Sequence, residues 1–402
     1  MPERSPSSGD DRDRDRDPTT THRVLGTPSA SAPGSGPTPV DGVDPDAGLA
    51  TLGLGEPRSR RELRQREQVE SGATQRRRRR RWIAVTAWIT GVVVGLPTVG
   101  ALLVAGYLGH IASTYGDRTT TIEQAFPAEV DRPVVDETGA LNVLLLGSDT
   151  RDAGAAGRSD SMMLVHLPAD RRAAYVMSIM RDSWVDVPGH GMAKINAAYS
   201  WGGVPLTVQT VEQLLQVRVD HVAEIDFAGF QAMTDALGGV DVVSEKAFTV
   251  EGHDFVAGPN HLDGRQALDF VRARHPFADA DHQRVRNQQA FMRGLIDGVV
   301  DRGTLSSPAT VSDFVGAVTE HLSVDPGLTF GRLVEIGWGS RSLSPSAVQT
   351  FTLPTAGGGV AADGQSYVQL DVEALYPLRE ALQDDTLGDY LTAPPAPEPA
   401  IE

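Results

Sequence analysis

Runs of apolar and polar positions change period along this chain, and each change marks an element. Leu141–Leu146 is a continuous apolar run of strand length, the pattern of a buried strand covered on both faces. Further strands are predicted over Ser161–Leu167, Ala174–Met180, Val240–Val243 and Val348–Leu353. Between Ala197 and Leu215 the spacing becomes helical, and another helix is predicted over Phe227–Leu237, closed by Gly238-Gly239. Asp263 can cap a helix that turns Ala267, Leu268 and Val271 inward, and a longer helix spans Asp281–Val300. Helical spacing returns over Val311–His321, Thr329–Gly337 and Val372–Leu382. Strands and helices mixed in this order predict an α/β domain with a mixed central sheet flanked by helices.

Upstream the pattern is different. From Trp82 to about Gly109 the chain is uncharged and mostly apolar, long enough as one transmembrane helix to cross roughly 30 Å of hydrocarbon. Trp82, Trp88 and Tyr107 lie towards its ends, where interfacial aromatics collect. Six arginines, Arg76 to Arg81, precede the span and no basic residue follows it directly, which orients the N-terminus to the cytoplasm and the rest outside. A cleaved signal peptide fits poorly, because the apolar stretch begins far from the N-terminus and exceeds the usual core of about 7 to 15 residues. The expected organisation is a disordered N-terminal tail over residues 1–81, the span over 82–109 and an extracytoplasmic stalk over 110–138. The folded domain follows over 139–390, and a Pro-rich disordered tail closes the chain over 391–402.

Charge sharpens this plan. The formal net charge is -17, yet 16 Arg face 13 Asp and Glu before Trp82, so the tail carries +3 and the remainder -20. An acidic domain gains nothing from counterion release, so no nucleic-acid partner is expected, and any bound anion must meet a focused arginine cluster. The chain has no Cys, which excludes disulfides, thiolate metal sites and thiol nucleophiles.

Three clusters carry candidate chemistry. In the first, Gly147-Ser148-Asp149-Thr150-Arg151 and Gly157-Arg158-Ser159-Asp160-Ser161 flank a loop of small residues. If the strands on either side share one sheet, Asp149 and Asp160 meet at its edge with Arg151 and Arg158. Two carboxylates with few other ligands suit Mg²⁺ (or Mn²⁺), which takes its remaining oxygens from water and phosphate; loop acids paired with loop arginines explain the same residues equally well. In the second, Arg181 ends the third predicted strand, where α/β sheets gather ligands, and Lys194 and Asn196 follow a Pro-Gly turn. Alone, Arg181 is as well read as a surface ion pair. The third is the densest: Arg272, Arg274, Asp281, Arg284, Arg286, Gln288 and Gln289, with Arg284 and Gln288 one helical turn apart. Fixed guanidinium groups beside a metal are what a pyrophosphate requires, since phosphoryl transfer depends on positioning and charge neutralisation. There is no Walker sequence, since Gly357-Gly358-Gly359 lacks the following Lys-Ser or Lys-Thr and reads as a loop, and no nucleophile elbow or zincin motif.

Taken together, NVLLLGSDTR (Asn142 to Arg151), GRSDSMML (Gly157 to Leu164), SIMRDSWVDVPG (Ser178 to Gly189), KINAAYSWGG (Lys194 to Gly203), DALGGVDV (Asp235 to Val242) and Leu262 to Gln289 resemble the LytR-CpsA-Psr family of cell-wall glycopolymer ligases. The resemblance implies an α/β/α domain that binds a polyprenyl pyrophosphate-linked glycan and transfers the glycan phosphate to a peptidoglycan acceptor. It also implies the family's topology, a single-pass cell-membrane protein in contact with membrane lipid, and points to an actinobacterial source. By motif it assigns Asp149 and Asp160 to the metal, and Arg158, Arg181, Arg272, Arg274, Arg284 and Gln288 to the pyrophosphate. Arg151, Lys194 and Asn196 are taken as further substrate contacts, and an acidic residue such as Asp160 or Asp182 as the candidate base. Two departures stand out: Asn287 occupies the position before the Gln pair where the family usually has Arg, and Met180 replaces the usual Pro before Arg181. A non-catalytic membrane regulator or lipid-glycan receptor, and a simple pyrophosphate hydrolase, are the alternative functions.

Overall fold

The computed structural model describes residues 82–83, 93, 97–135, 137–148, 159–274, 277, 280–301 and 308–393, without the side chains of 160, 280, 300 and 301. Of the unit Met1–Trp88 only Trp82 and Ile83 are described, both helical; every element below belongs to the unit Ile89–Glu402. Most of the expected span over 82–109 lies outside the described residues, and no helix among those described is long and apolar enough to cross a membrane.

The chain enters through helix α1 (97–118) and a short strand β1 (Thr120–Thr121). It continues through β2 (Leu141–Ser148), β3 (Ser159–Leu167), β4 (Ala174–Ile179) and a hairpin of β5 (Trp184–Val187) and β6 (Gly191–Lys194). Helix α2 (Asn196–Leu215), strand β7 (His221–Asp226) and helix α3 (Phe227–Ala236) follow. Next come β8 (Val240–Ser244), β9 (Phe248–Val250), β10 (His253–Phe255) and β11 (Gly258–Leu262), then helices α4 (Gly264–Arg272), α5 (Ala280–Asp301) and α6 (Pro308–Thr319). The remainder is β12 (Leu322–Val324), α7 (Phe330–Gly339), β13 (Val348–Thr352), a hairpin of β14 (Thr355–Val360) and β15 (Ser366–Leu370), α8 (Val372–Gln383) and α9 (Leu387–Thr392).

Among the described residues the central sheet runs β1-β12-β7-β2-β3-β4-β13, mixed in direction. β3 is antiparallel to both β2 and β4, while β2 pairs parallel with β7 and β4 parallel with β13. The start of β3 and the ends of β2, β4, β7 and β13 therefore share one sheet edge, and Ser148 pairs with Ser159 there.

Alternation along the strands divides the core. Leu144, Leu146, Met162, Leu164, Met177 and Ile179 pack on α2, α8 and the β5–β6 hairpin. Val143, Leu145, Met163 and Val165 face Met292 and Ile296 of α5 on the other side. Both faces are apolar, as the unbroken run Leu141–Leu146 requires. Truncating a fully buried Leu144 or Leu164 to Ala would cost about 2–5 kcal/mol.

Local chemistry sets the boundaries. Asp226 caps α3 by accepting from the Gly229 N–H, and Asp263 forms a capping box with Gln266 at α4. Gly239, at φ +93°, ends the α3 turn; a Cβ there would sit 3.0 Å from the Leu262 carbonyl oxygen. Where a stalk is expected over 110–138, α1 and β1 instead join the domain, burying Ile111, Tyr115 and Ala125, and β1 pairs with β12.

Candidate functional site

The site is assembled where α4 and α5 cross the sheet edge. Gln289 of α5 donates to Ser178 Oγ at 3.3 Å and Thr352 Oγ1 at 3.0 Å, which fastens this helix to the ends of β4 and β13. Asn287, buried, donates to the Phe270 carbonyl at 3.0 Å and ties α5 to the last turn of α4. Arg284 lies one turn before Gln288 on the same helix and is buried.

Asp281 gathers two of the expected arginines. Its carboxylate lies 3.0 Å from Arg284 Nη2 and 3.3 Å from Arg274 Nε. Arg284 is buried and Arg274 half-buried, so their mutual repulsion is little screened and the shared carboxylate offsets it. Arg272 is exposed and lies over the Phe227 ring, 4.5 Å from its centroid.

Arg286 points elsewhere. It pairs with Glu245 at 2.9 Å and donates to the buried Gln283. The departure in this helix thus has a physical account: Asn287 is a buried anchor, and its neighbour Arg286 is engaged by Glu245 and Gln283.

Between the sheet and helices α3, α4 and α5 lies a cavity of about 290 Å³. Its wall is nearly all apolar, with Leu145, Met163, Phe230, Met233, Met292 and Leu295 prominent. Among the described residues, polar groups enter from Ser161, Asp226, Arg272 and Gln288. Gly147 also lines it, and a Cβ at that position would meet Ser161 Cβ at 3.2 Å. The cavity therefore touches both segments that flank the first candidate cluster.

Arg181 follows β4 at the same edge. Its carbonyl accepts from the Asn196 N–H at 3.1 Å, and Asp182 lies 3.6 Å from Arg181 Nε and 3.3 Å from Lys194 Nζ. Arg181, Asp182, Lys194 and Asn196 thus form one polar group joined by backbone and side-chain contacts. Asp149, Arg151 and Arg158, and the side chain of Asp160, lie outside the described residues. Among the described residues no group of three or more His, Asp or Glu is placed to hold a metal ion.

Some contributors went unassigned in the sequence. Asp281 was visible by its spacing of three before Arg284, but its link to Arg274 crosses a turn. Phe227 and the cavity wall resemble ordinary core residues, since nothing in apolar periodicity separates a filled core from a lined cavity.

Fold and site define a class: a mixed α/β protein whose central sheet is flanked by helices and whose apolar cavity carries Arg272 and Gln288 in its lining. The chain belongs to the LytR_cpsA_psr family, whose model matches residues 107–384. It is similar to the polyisoprenyl-teichoic acid–peptidoglycan teichoic acid transferase TagU of Enterococcus faecalis, 31% identical over 304 residues, covering 74% of this chain and 96% of that protein. The TagU of Bacillus cereus is 32% identical over 245 residues, covering 59% of this chain and 78% of its own. Among solved structures, B. subtilis TagV superposes with a TM-score of 0.55 at 25% identity, covering 62% of this chain and 98% of TagV. TagT bound to LI-WTA superposes with a TM-score of 0.52 at 28% identity, covering 65% and 98%.

Proposed function

We propose that this protein transfers a glycan phosphate from a polyprenyl pyrophosphate carrier to peptidoglycan. The observation that carries the proposal is the apolar cavity with Arg272 and Gln288 at its polar end. An isoprenoid chain fits the apolar wall, and a diphosphate at the mouth meets guanidinium groups already oriented by Asp281 and Phe227. The named activity of the TagU relatives agrees with this chemistry.

In the reaction, an acceptor hydroxyl oxygen bonds to the phosphorus next to the sugar. The bond from that phosphorus to the bridging oxygen breaks, and polyprenyl phosphate leaves. Arg181, Arg272, Arg274 and Arg284 neutralise charge on the transferring and leaving oxygens. Arg151, Arg158, Lys194, Asn196 and Gln288 orient the substrate. Asp182 is engaged by Lys194 and Arg181, which leaves Asp160 as the group to take the hydroxyl proton.

Asp149 and Asp160 are the donors for Mg²⁺ or Mn²⁺ in this proposal. The pairing of Ser148 with Ser159 fits such a site, because it brings the backbone leading to both acids to one edge. A bound divalent ion would withdraw charge from the diphosphate oxygens. The span over 82–109, with Arg76 to Arg81 on its cytoplasmic side, would anchor the domain outside the cell at the lipid surface.

The test uses the full-length protein in detergent with a lipid-pyrophosphate glycan, Mg²⁺ and soluble peptidoglycan oligomers. A covalent glycan–phosphate–peptidoglycan product is expected. Free glycan phosphate would indicate a hydrolase, and unchanged donor a receptor; either would overturn the transfer assignment.

A further inference from the structure

The hairpin that follows Arg181 carries a surface that the phosphate chemistry does not use. Val185, Val187 and Ala193 point into the core beside α2, so the alternate residues Trp184, Asp186, Met192 and Lys194 share the outward face. Trp184 pairs directly with Lys194 across the hairpin and stacks on Tyr367 of β15, with ring centroids 4.5 Å apart and planes at 25°. Both rings remain partly exposed.

The placement of Tyr367 depends on the glycine run of β14. Gly359 is its cross-strand partner, and a Cβ there would lie 2.3 Å from the Tyr367 ring. Only glycine lets the ring lie across the neighbouring strand, so the Gly-rich segment that reads as a loop is the floor of an aromatic stack.

Polar groups frame this stack and join it to the site. The Val368 N–H donates to the Asp182 carbonyl at 2.8 Å, and Ser183 bridges to Val368. At the turn end of the same hairpin, His190 stacks on Trp201, with centroids 4.7 Å apart, and Trp201 is 49% exposed. Trp184 and Val187 are three residue steps apart, so β5 runs roughly 10 Å from the end that carries Trp184 to the turn that carries His190. Flat aromatic faces beside carboxylates and an ammonium group suit a sugar: the C–H face of a pyranose packs on the ring, and its hydroxyls find acceptors and donors at the rim.

Position selects which sugar. The cavity lies against α3, α4 and α5, whereas the β5–β6 hairpin packs with α2 on the opposite face of the sheet. Phosphoryl transfer places the attacking and leaving oxygens roughly in line, so the nucleophile approaches from the side away from the departing lipid phosphate. We propose that Trp184, Tyr367, His190 and Trp201 form a binding platform for the pyranose rings of the acceptor glycan strand. The choice of acceptor over donor rests on the transfer reaction proposed above; the binding of a glycan does not.

Titration of the full-length protein with a soluble peptidoglycan tetrasaccharide, in the absence of donor, reads the platform directly through tryptophan fluorescence and calorimetry. Trp201→Ala and Trp184→Ala should each weaken binding about tenfold, the loss of one ring contact, and Trp184→Phe should recover most of it. In turnover, the same changes should raise the acceptor KM and leave the donor KM in place. Unchanged tetrasaccharide affinity in both alanine variants, with intact thermal melting, would overturn the platform. A rise in donor KM alone would assign the rings to the donor's glycan and overturn the acceptor assignment. If the wild type binds the tetrasaccharide but forms no covalent product, the transfer reaction fails and the glycan site stands.

Discussion

At the scale of single residues, the site is built by carboxylates as much as by arginines. Asp281 lies between Arg274 and Arg284 and fixes where two guanidinium groups stand, so the diphosphate proposed here would meet donors that need little reorganisation. Arg272 is fixed differently, by the face of Phe227. Arg272→Ala should therefore lower kcat/KM for transfer by roughly 10²–10³, the usual effect of losing one oriented donor to a developing charge. Arg286→Ala, which removes the contacts to Glu245 and Gln283, should change it less than about threefold. Steady-state kinetics of the two variants side by side checks both statements, and equal losses would refute the division of roles. The arginines themselves were legible in the sequence because a dense basic cluster in an acidic chain needs a reason. Their sorting was not legible: Arg284 and Arg286 differ by two positions on a helix, and only the packing of α5 decides which one is buried.

At the scale of elements, α5 acts as the ruler of the site. Gln289 and Asn287 fasten its first half to β4, β13 and α4, and Gly294 lets its second half lie directly on β8. A Cβ at Gly294 would come within 2.1 Å of the Asp241 carbonyl oxygen, so Gly294→Ala must push the helix away from that strand. Overpacking of this kind costs about 1–3 kcal/mol, or a Tm lower by several degrees in a domain of this size. Thermal melting measures that cost, and an unchanged Tm would show that the backbone yields without penalty. The long helices were readable to within a few residues because many turns of consistent spacing reinforce one another. The strands β7 and β12 and the hairpins β5–β6 and β14–β15 were not read, since each is short, partly polar or rich in glycine and acquires its pairing from distant partners. The cavity belongs to this scale too, as the gap that α3, α4 and α5 leave above Leu145 and Met163. Leu295→Trp should fill part of it, raising the KM for a long-chain polyprenyl donor severalfold while a short-chain analogue is spared; equal effects on both donors would place the lipid elsewhere.

At the scale of the whole molecule, the far side of the sheet is closed by a buried polar cluster where the segment 110–135 and the C-terminal half meet. The Asp325 carboxylate accepts from the N–H groups of Val222 and Gly327 at 3.0 and 2.8 Å and from His221 Nδ1 at 3.1 Å. Arg332 donates to His221 Nε2 at 3.2 Å, which leaves the imidazole proton on Nδ1, facing Asp325. Burial alone would raise the Asp325 pKa, but the hydrogen bonds from His221, Val222 and Gly327 outweigh it and hold the carboxyl below its ordinary range. Burial, with the charge of Asp325 added, pushes the nearby Tyr115 hydroxyl up to about 12, so it stays protonated and donates to the Leu328 carbonyl at 2.6 Å. This junction between the first strand of the sheet and its core could not be foreseen, because its members are spread from Tyr115 to Arg332 and each alone is an ordinary polar residue. The sign of its pH dependence follows from the depressed pKa. The stabilisation from Asp325 is complete above the unfolded carboxyl value of about 3.9 and is lost as pH falls through the lower folded value. Asp325→Asn should therefore melt roughly 4–8 °C below the wild type at pH 7, for a loss of about 2 kcal/mol. As pH falls below about 3.9 and through the lower folded value, the wild type protonates the same group and the gap should narrow. Melting curves of both proteins from pH 7 down through the acid range in which the folded carboxyl titrates decide the matter: a gap of constant width throughout would mean that the carboxylate charge contributes nothing and that shape alone holds this junction.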